Sequence, residues 1–259
     1  MTSVQRPVAG HLADALRRDG ACAAALADLA LPIEGRFWGD LPLALTEFPD
    51  QVALTQGFRF RKLEPRDLMR VHCLGPLLFG LDEPLLDLVE EYLGEPAAYL
   101  AAFIRKDYGS TDQSGVQWWH RDWEDRAVVR VIVYLTDVSG ADGPFEYVPL
   151  SHAAQCEHLR ERAGAHDEDL PDFDPVFDEE LARSVPVACW QTCVGPAGTV
   201  LTADAARLLH HAKPAGPGRE RVAVLYTYTT RRPRIPLTRS PALDDLLTAR
   251  QRAACYLEL

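Results

Sequence analysis

The hydrophobic pattern of the chain changes period once. Over residues 11–31, Ala and Leu recur at helical spacing with Asp and Arg between them, which predicts an amphipathic helix. Residues 32–63 mix Pro, Gly, Phe and Trp and read as loops with short strands. Helical spacing returns at residues 65–69 and over Glu83–Leu93, where Pro84 near the first turn and Gly94 at the end mark the boundaries. After Gly94 the chain turns to short, β-branched runs. Strands are predicted over 97–106, 127–137, 145–148, 186–193, 198–203, 208–212 and 221–229, the last being the clearest. Turn chemistry separates them at 107–114, 139–144 and 213–218. Residues 153–185 break the alternation with an acidic, proline-interrupted stretch, which reads as a lid-like surface insertion. The end is basic from Arg231, with a helix expected over 243–252.

This order predicts a mainly β protein with packed helices (α+β), a sandwich or barrel carrying N-terminal and flanking α-helices. A single domain over 1–259 is expected. It comprises a mainly helical part (1–95), a β core (96–230) and a C-terminal extension (231–259). At 259 residues the chain can bury a full core, and 47% apolar with 25% charged residues is ordinary for a globular protein. The net charge of -11, without a Lys/Arg cluster, argues against nucleic acid and anionic membrane surfaces as partners. A start without an apolar signal core, and no long apolar run, makes a cytoplasmic, non-membrane protein the expectation. The six scattered cysteines suit reduced thiols; Cys189 and Cys193 have the wrong spacing for a zinc knuckle.

Chemistry concentrates at Gln117-Trp118-Trp119-His120-Arg121-Asp122-Trp123. In extended chain, positions two apart share a face, so His120 and Asp122 can converge on one ion. A second imidazole is offered at His210 or His211, and alternation lets only one of them face the interior. Two His and a carboxylate form the facial triad of non-haem Fe(II), which leaves three coordination positions open. Arg221 opens the next strand after a tight turn, so it is expected beside His210, where its guanidinium can grip the far carboxylate of 2-oxoglutarate. Arg219, in the turn, reads as a surface charge. His152 reads as a turn or packing residue, and His158 and His166 as solvated. Trp118, Trp119 and Trp123 are wall or core, or stack on a substrate; Arg121 and Arg130 pair with local acids or reach a substrate carboxylate.

From about residue 85 to residue 230 the chain resembles the phytanoyl-CoA dioxygenase (PhyH) family of Fe(II)/2-oxoglutarate-dependent oxygenases. The resemblance rests on four ordered motifs: Trp119-His120-Arg121-Asp122, the run at 131–138, Gly143 through His152, and His210-x-x-x-Pro214 with Arg221. It implies a double-stranded β-helix (jelly-roll) core. It further implies His120, Asp122 and His210 as iron ligands and catalytic centre, with Arg221 as the 2-oxoglutarate anchor. Leu150 stands where the family commonly has Gly. Ala212 replaces a small hydroxyl residue, so Gln117, Thr199 or Thr202 is expected to supply the missing hydrogen bond to the co-substrate. Related halogenases lack the carboxylate, so Asp122 implies hydroxylation or another oxidation rather than chlorination. The implied function is a small-molecule oxygenase using Fe(II), O2 and 2-oxoglutarate and releasing succinate. Its substrate would be a natural-product intermediate or amino-acid derivative, touched by Trp118, Trp123 or Arg121, on a monomer or homodimer. The alternative is a non-oxidative jelly-roll protein, an isomerase or a binding protein, because fold does not dictate function.

Overall fold

In a computed structural model, which describes residues 8–29, 31–48, 60–109, 113, 115–164, 176–257 and 259, the strands form two antiparallel sheets. They are β1 (Ala21–Ala25), β2 (Phe60–Leu63), β3 (Ala97–Tyr108), β4 (Val129–Tyr134), β5 (Phe145–Tyr147), β6 (Gln191–Cys193), β7 (Thr199–Asp204), β8 (His210–Ala212) and β9 (Glu220–Thr230). The major sheet has the order β1-β7-β4-β9-β3-β2, and the minor sheet β6-β5-β8. The helices are α1 (Val8–Asp19), α2 (Glu34–Leu45), α3 (Pro65–Arg70), α4 (Leu74–Phe79), α5 (Glu83–Leu93), α6 (Glu157–Ala163), α7 (Asp178–Ser184) and α8 (Ala249–Ala254).

Side-chain parity divides the major sheet into an outer and an inner face. Val129, Val131 and Val133 of β4, with Val222, Val224, Tyr226 and Tyr228 of β9, pack on Phe37, Leu77, Phe79 and Leu85 from the helices. Ile132, Tyr134 and Ala223, one residue out of phase, join Phe145 of the minor sheet in a second core between the sheets. On β3 the parity changes at a bulge between Tyr99 and Ala101. Tyr99 faces the helices before it, and Ala102 and Ile104 do so after it. The extra residue thereby turns Phe103, Arg105 and Asp107 to the inner side, the usual consequence of a bulge.

Three tyrosines tie the helical layer to this sheet. The Tyr226 hydroxyl donates to Pro76 O at 2.7 Å, Tyr228 to Gly80 O at 2.6 Å and Tyr99 to Leu77 O at 2.9 Å. A Cβ on Gly80 would lie 2.6 Å from the Tyr99 ring, so only glycine permits this approach.

Several elements differ from those expected. The helix read over 11–31 ends at Asp19, where Gly20 takes a left-handed φ of 85°. The alanines after it form β1, the edge strand paired with β7; tertiary pairing overrides their weak strand preference. Residues 32–63 contain helix α2, whose Phe37, Leu41 and Ala44 are buried at helical spacing despite Pro42. Asp107 and Tyr108 belong to β3 rather than to a loop. The strand read over 186–193 is a 3-10 turn, Val187–Cys189, followed by β6. The insertion read as loop carries α6 and α7; its residues 165–175, His166 among them, lie outside the described residues. The C-terminal helix is split into a 3-10 turn, Pro241–Leu246, and α8, capped by Thr248 and Gln251. Among the described residues no helix is long and apolar enough to cross a membrane.

Tyr228→Phe is expected to lower stability by about 1–3 kcal/mol, because it leaves the buried Gly80 carbonyl without its donor. Urea denaturation measures this, and an unchanged midpoint would show that the hydroxyl contributes nothing.

Candidate metal centre

His120 lies outside the named strands but is held as firmly as if it were in one. Its backbone N–H donates to His210 O at 2.9 Å and its carbonyl accepts from His210 N at 3.0 Å, an isolated antiparallel bridge. Two residues on, Asp122 N donates to Ala205 O at 2.9 Å. One imidazole thus comes from the segment before β4 and the other from the start of β8, face to face by main-chain pairing. The His120 Nε2 and His210 Nε2 atoms lie 3.7 and 3.8 Å from Asp122 Oδ1. All three side chains offer ligand atoms within 4.8 Å of one another.

The tautomers follow from hydrogen bonding. His120 Nδ1 faces Trp118 O at 2.8 Å and His210 Nδ1 faces Leu208 O at 3.2 Å. A carbonyl only accepts, so each Nδ1 carries the proton and each Nε2 presents a lone pair. Burial pushes both imidazoles below their ordinary pKa, His210 to about 3, against the pull of Asp122. Burial alone would raise the Asp122 carboxyl, but the Arg130 guanidinium outweighs it and holds the group well below the carboxylate range. Two neutral nitrogen donors and one carboxylate oxygen are therefore ready for a divalent transition ion at neutral pH.

His211 cannot join them. Its Nδ1 faces Gln117 O at 2.8 Å, its Nε2 faces Glu146 Oε2 at 3.0 Å, and its ring stacks on Trp119 with centroids 4.0 Å apart. Glu146, which burial would raise, is held low by His211 and Thr192.

The three-residue cluster opens into a cavity of about 290 Å³ that Arg221 also lines. Arg221 does not reach it by the expected route: β8 and β9 belong to different sheets, so Arg221 faces His210 across the cavity and not along a hairpin. Directly opposite it on β3, Asp107 accepts from Arg221 Nη2 at 2.7 Å and, through its other oxygen, from Arg105 Nε at 2.8 Å. Nη1 of Arg221 donates to Gly143 O. Gly143 has a φ of 78°, and a Cβ there would lie 2.7 Å from Lys213 O. The remaining Nε–H of Arg221 is buried without a hydrogen-bond partner. The guanidinium as a whole lines the cavity wall, where its charge suits an incoming carboxylate. Two guanidiniums share one carboxylate here, so the group keeps one net positive charge.

Arg130 crosses from β4 to three acceptors. Its Nε donates to Asp122 Oδ2 at 2.7 Å, its Nη2 to Glu124 Oε1 at 2.9 Å, and its Nη1 to Thr227 Oγ1 on the adjoining strand. Burial works against its charge, but Asp122 and Glu124 more than compensate and raise its pKa.

Other expected site residues lie elsewhere. Gln117 is buried and meets His211 through its carbonyl. The Thr199 hydroxyl donates to Pro196 O at 2.8 Å at the start of β7, and Thr202, two residues after Val200, shares its face toward the helical layer. Neither threonine lines the cavity, nor do Gln117, Trp118, Trp123 or Arg121. Trp118 meets Phe177 edge-on, Trp119 is core, and Arg121 donates to Ala206 O and Arg160 O. Arg219 is exposed beside Asp142. Not singled out in the sequence were Arg105, Glu124 and Lys62, which line the cavity, and Asp107, which pairs with Arg221 and Arg105. The available signal was that Arg105 and Asp107, two apart on either side of Lys106, share one face of the strand.

No model of a known protein family matches the chain, and no curated protein matches its sequence. Solved structures do. The epimerase SnoN, in complex with Fe3+, alpha ketoglutarate and nogalamycin RO, aligns with a TM-score of 0.59 at 17% identity, over 87% of this chain and 85% of SnoN. AviO1 from Streptomyces viridochromogenes Tue57 aligns with a TM-score of 0.56 at 18% identity, over 91% of this chain and 99% of that one. HygX from Streptomyces hygroscopicus, with nickel and 2-oxoglutarate bound, aligns with a TM-score of 0.56 at 18% identity, over 88% of each. The chain has the fold of these proteins, the jelly-roll core expected from its sequence.

Asp107→Ala is expected to cost about 3–5 kcal/mol, since it leaves two buried guanidiniums without their shared carboxylate. Burial would raise Asp107, but Arg105 and Arg221 outweigh it and depress its pKa. Its contribution to stability is therefore complete above the ordinary carboxylate pKa of about 4 and is lost as pH falls below that value. Denaturation curves between neutral and acid pH check both statements. A variant Asp107→Asn with the same acid slope as the wild type would contradict the second.

Proposed function

We propose that the protein is an Fe(II)- and 2-oxoglutarate-dependent oxygenase of the phytanoyl-CoA dioxygenase type, acting on a small molecule. What carries the reading is one cavity holding both a two-histidine, one-carboxylate cluster, its ligand atoms within 4.8 Å of one another, and a buried guanidinium. The donor set is that of non-haem iron, and the guanidinium fits the far carboxylate of a keto acid that reaches the metal with its other end. SnoN was crystallised with Fe3+ and alpha ketoglutarate and HygX with nickel and 2-oxoglutarate, which supports the same pairing here.

His120, Asp122 and His210 would hold the iron. When bound, iron supplies the activation of O2 coupled to oxidative decarboxylation of 2-oxoglutarate to succinate and carbon dioxide. Arg221 fixes the co-substrate, with Asp107 and Arg105 holding its plane, and the single excess charge of that trio is neutralised by the carboxylate it receives. Ile132, Phe145, Ala223 and Leu225 line the same cavity and keep water from the reacting groups. With Asp122 in place, the expected outcome is hydroxylation or another oxidation of the substrate rather than halogenation.

Purified protein with Fe(II), ascorbate and a pool of candidate small molecules is expected to form succinate from 2-oxoglutarate. No succinate and no iron binding would leave the non-oxidative reading. His120→Ala and Asp122→Ala should each abolish iron binding. Arg221→Ala should keep the iron and raise the 2-oxoglutarate requirement about tenfold to a hundredfold, the loss of one charge-assisted interaction. Equal loss of iron in all three variants would contradict this division of roles.

A further inference from the structure

A second carboxylate, Glu124, lies two residues beyond Asp122 and lines the same cavity. Its oxygens lie outside the three-residue cluster, but a divalent ion tends to collect every carboxylate oxygen that can swing to it, and each one collected closes a position that a reactant needs. Here both carboxylates are already engaged. Arg130 takes Oδ2 of Asp122 at 2.7 Å, leaving Oδ1 toward the histidines, and takes Oε1 of Glu124 at 2.9 Å. Glu124 Oε2 accepts from Trp123 N at 3.1 Å. The third arm of the guanidinium is tied to Thr227, its partner across the β4–β9 ladder. The same Arg130–Glu124 pair borders a second cavity of about 310 Å³ under residues 235–238, so the fork also forms the wall between the two spaces.

We propose that Arg130 is a positioning residue that limits the protein to three metal ligands, by holding the outer oxygen of Asp122 and the carboxylate of Glu124 away from the ion. This rests on the iron-oxygenase reading and adds to it the reason why three positions stay open. The task needs a planar cation with several donors at set angles. A lysine ammonium in this place keeps the charge but not the fork. The inference also accounts for a buried arginine that meets two carboxylates and a hydroxyl while no co-substrate carboxylate is assigned to it.

Co(II) is the probe, because its visible absorption reports coordination number without turnover. In Arg130→Met the freed carboxylate oxygens are expected to join the metal. Co(II) affinity stays level or rises, and the spectrum before 2-oxoglutarate changes from that of wild type as carboxylate oxygens replace water on the ion. Affinity of the Co(II) form for 2-oxoglutarate should fall about tenfold or more, the scale of losses at residues that orient metal ligands. Adding Glu124→Gln to Arg130→Met should recover part of that affinity. Should Arg130→Met fail to fold, Arg130→Lys is expected to show the same shifts at smaller amplitude. A wild-type spectrum with wild-type 2-oxoglutarate affinity in the folded variant would overturn the proposal. So would a loss of Co(II) affinity, the outcome of a merely structural role. Wild-type protein that binds neither Co(II) nor 2-oxoglutarate would overturn the oxygenase reading itself, and the proposal with it.

Discussion

Charge inside an apolar sandwich survives only when it is paired, and the arrangement around the cavity follows from that constraint. Arg105, Arg130 and Arg221 project from three adjacent strands of the major sheet toward its inner side. Each is met by a carboxylate: Asp107 serves Arg105 and Arg221, and Asp122 with Glu124 serves Arg130. Cross-strand register makes the pairing possible, since Asp107 stands opposite Arg221 and Thr227 opposite Arg130. A slip of one residue would turn the guanidiniums into the helical layer and the valines and tyrosines into the cavity.

That register is secured from the other face of the sheet. Tyr99, Tyr226 and Tyr228 fill the space between sheet and helices and donate to three carbonyls in or just after α4. Apolar burial on one face thus stabilises the position of charges on the opposite one. The bulge in β3 belongs to the same logic. Without its extra residue, Tyr99 and Ile104 could not both face the helices, and Arg105 and Asp107 would not face the cavity.

Electrostatics then divides the cavity in two. Around the candidate metal position, one guanidinium meets two carboxylates, a group that welcomes a cation. Around Arg221, two guanidiniums meet one carboxylate, a group that welcomes an anion. The histidines between them stay neutral because burial disfavours their charge and each Nδ1 spends its proton on a carbonyl. A molecule that chelates a metal at one end and carries a carboxylate at the other matches this polarity.

Much of the chemistry was legible in local sequence. His120-x-Asp122, the rule that only one of His210 and His211 faces the interior, and Arg221 are properties of spacing and strand alternation, which act over a few residues. The β-branched runs foretold β4 and β9 for the same reason, and Glu83–Leu93 carried its own stop and start signals. What failed was what depends on distant neighbours. The alanines of β1 have no strand preference and acquire their conformation from pairing with β7, some 180 residues on. Thr199 and Gln117 were plausible donors by type, but neither side chain lines the cavity. Arg221 was expected beside His210 along one hairpin, and the chain instead changes sheets between them. The amino-acid sequence determined which side chains offer metal-ligand atoms and that positions two apart, as in His120 and Asp122, can share a side, because both follow from residue chemistry and a two-residue period. Only the tertiary structure decided that Asp107, Arg105, Glu124 and Arg130 surround them, because long-range register and one bulge bring these charges together.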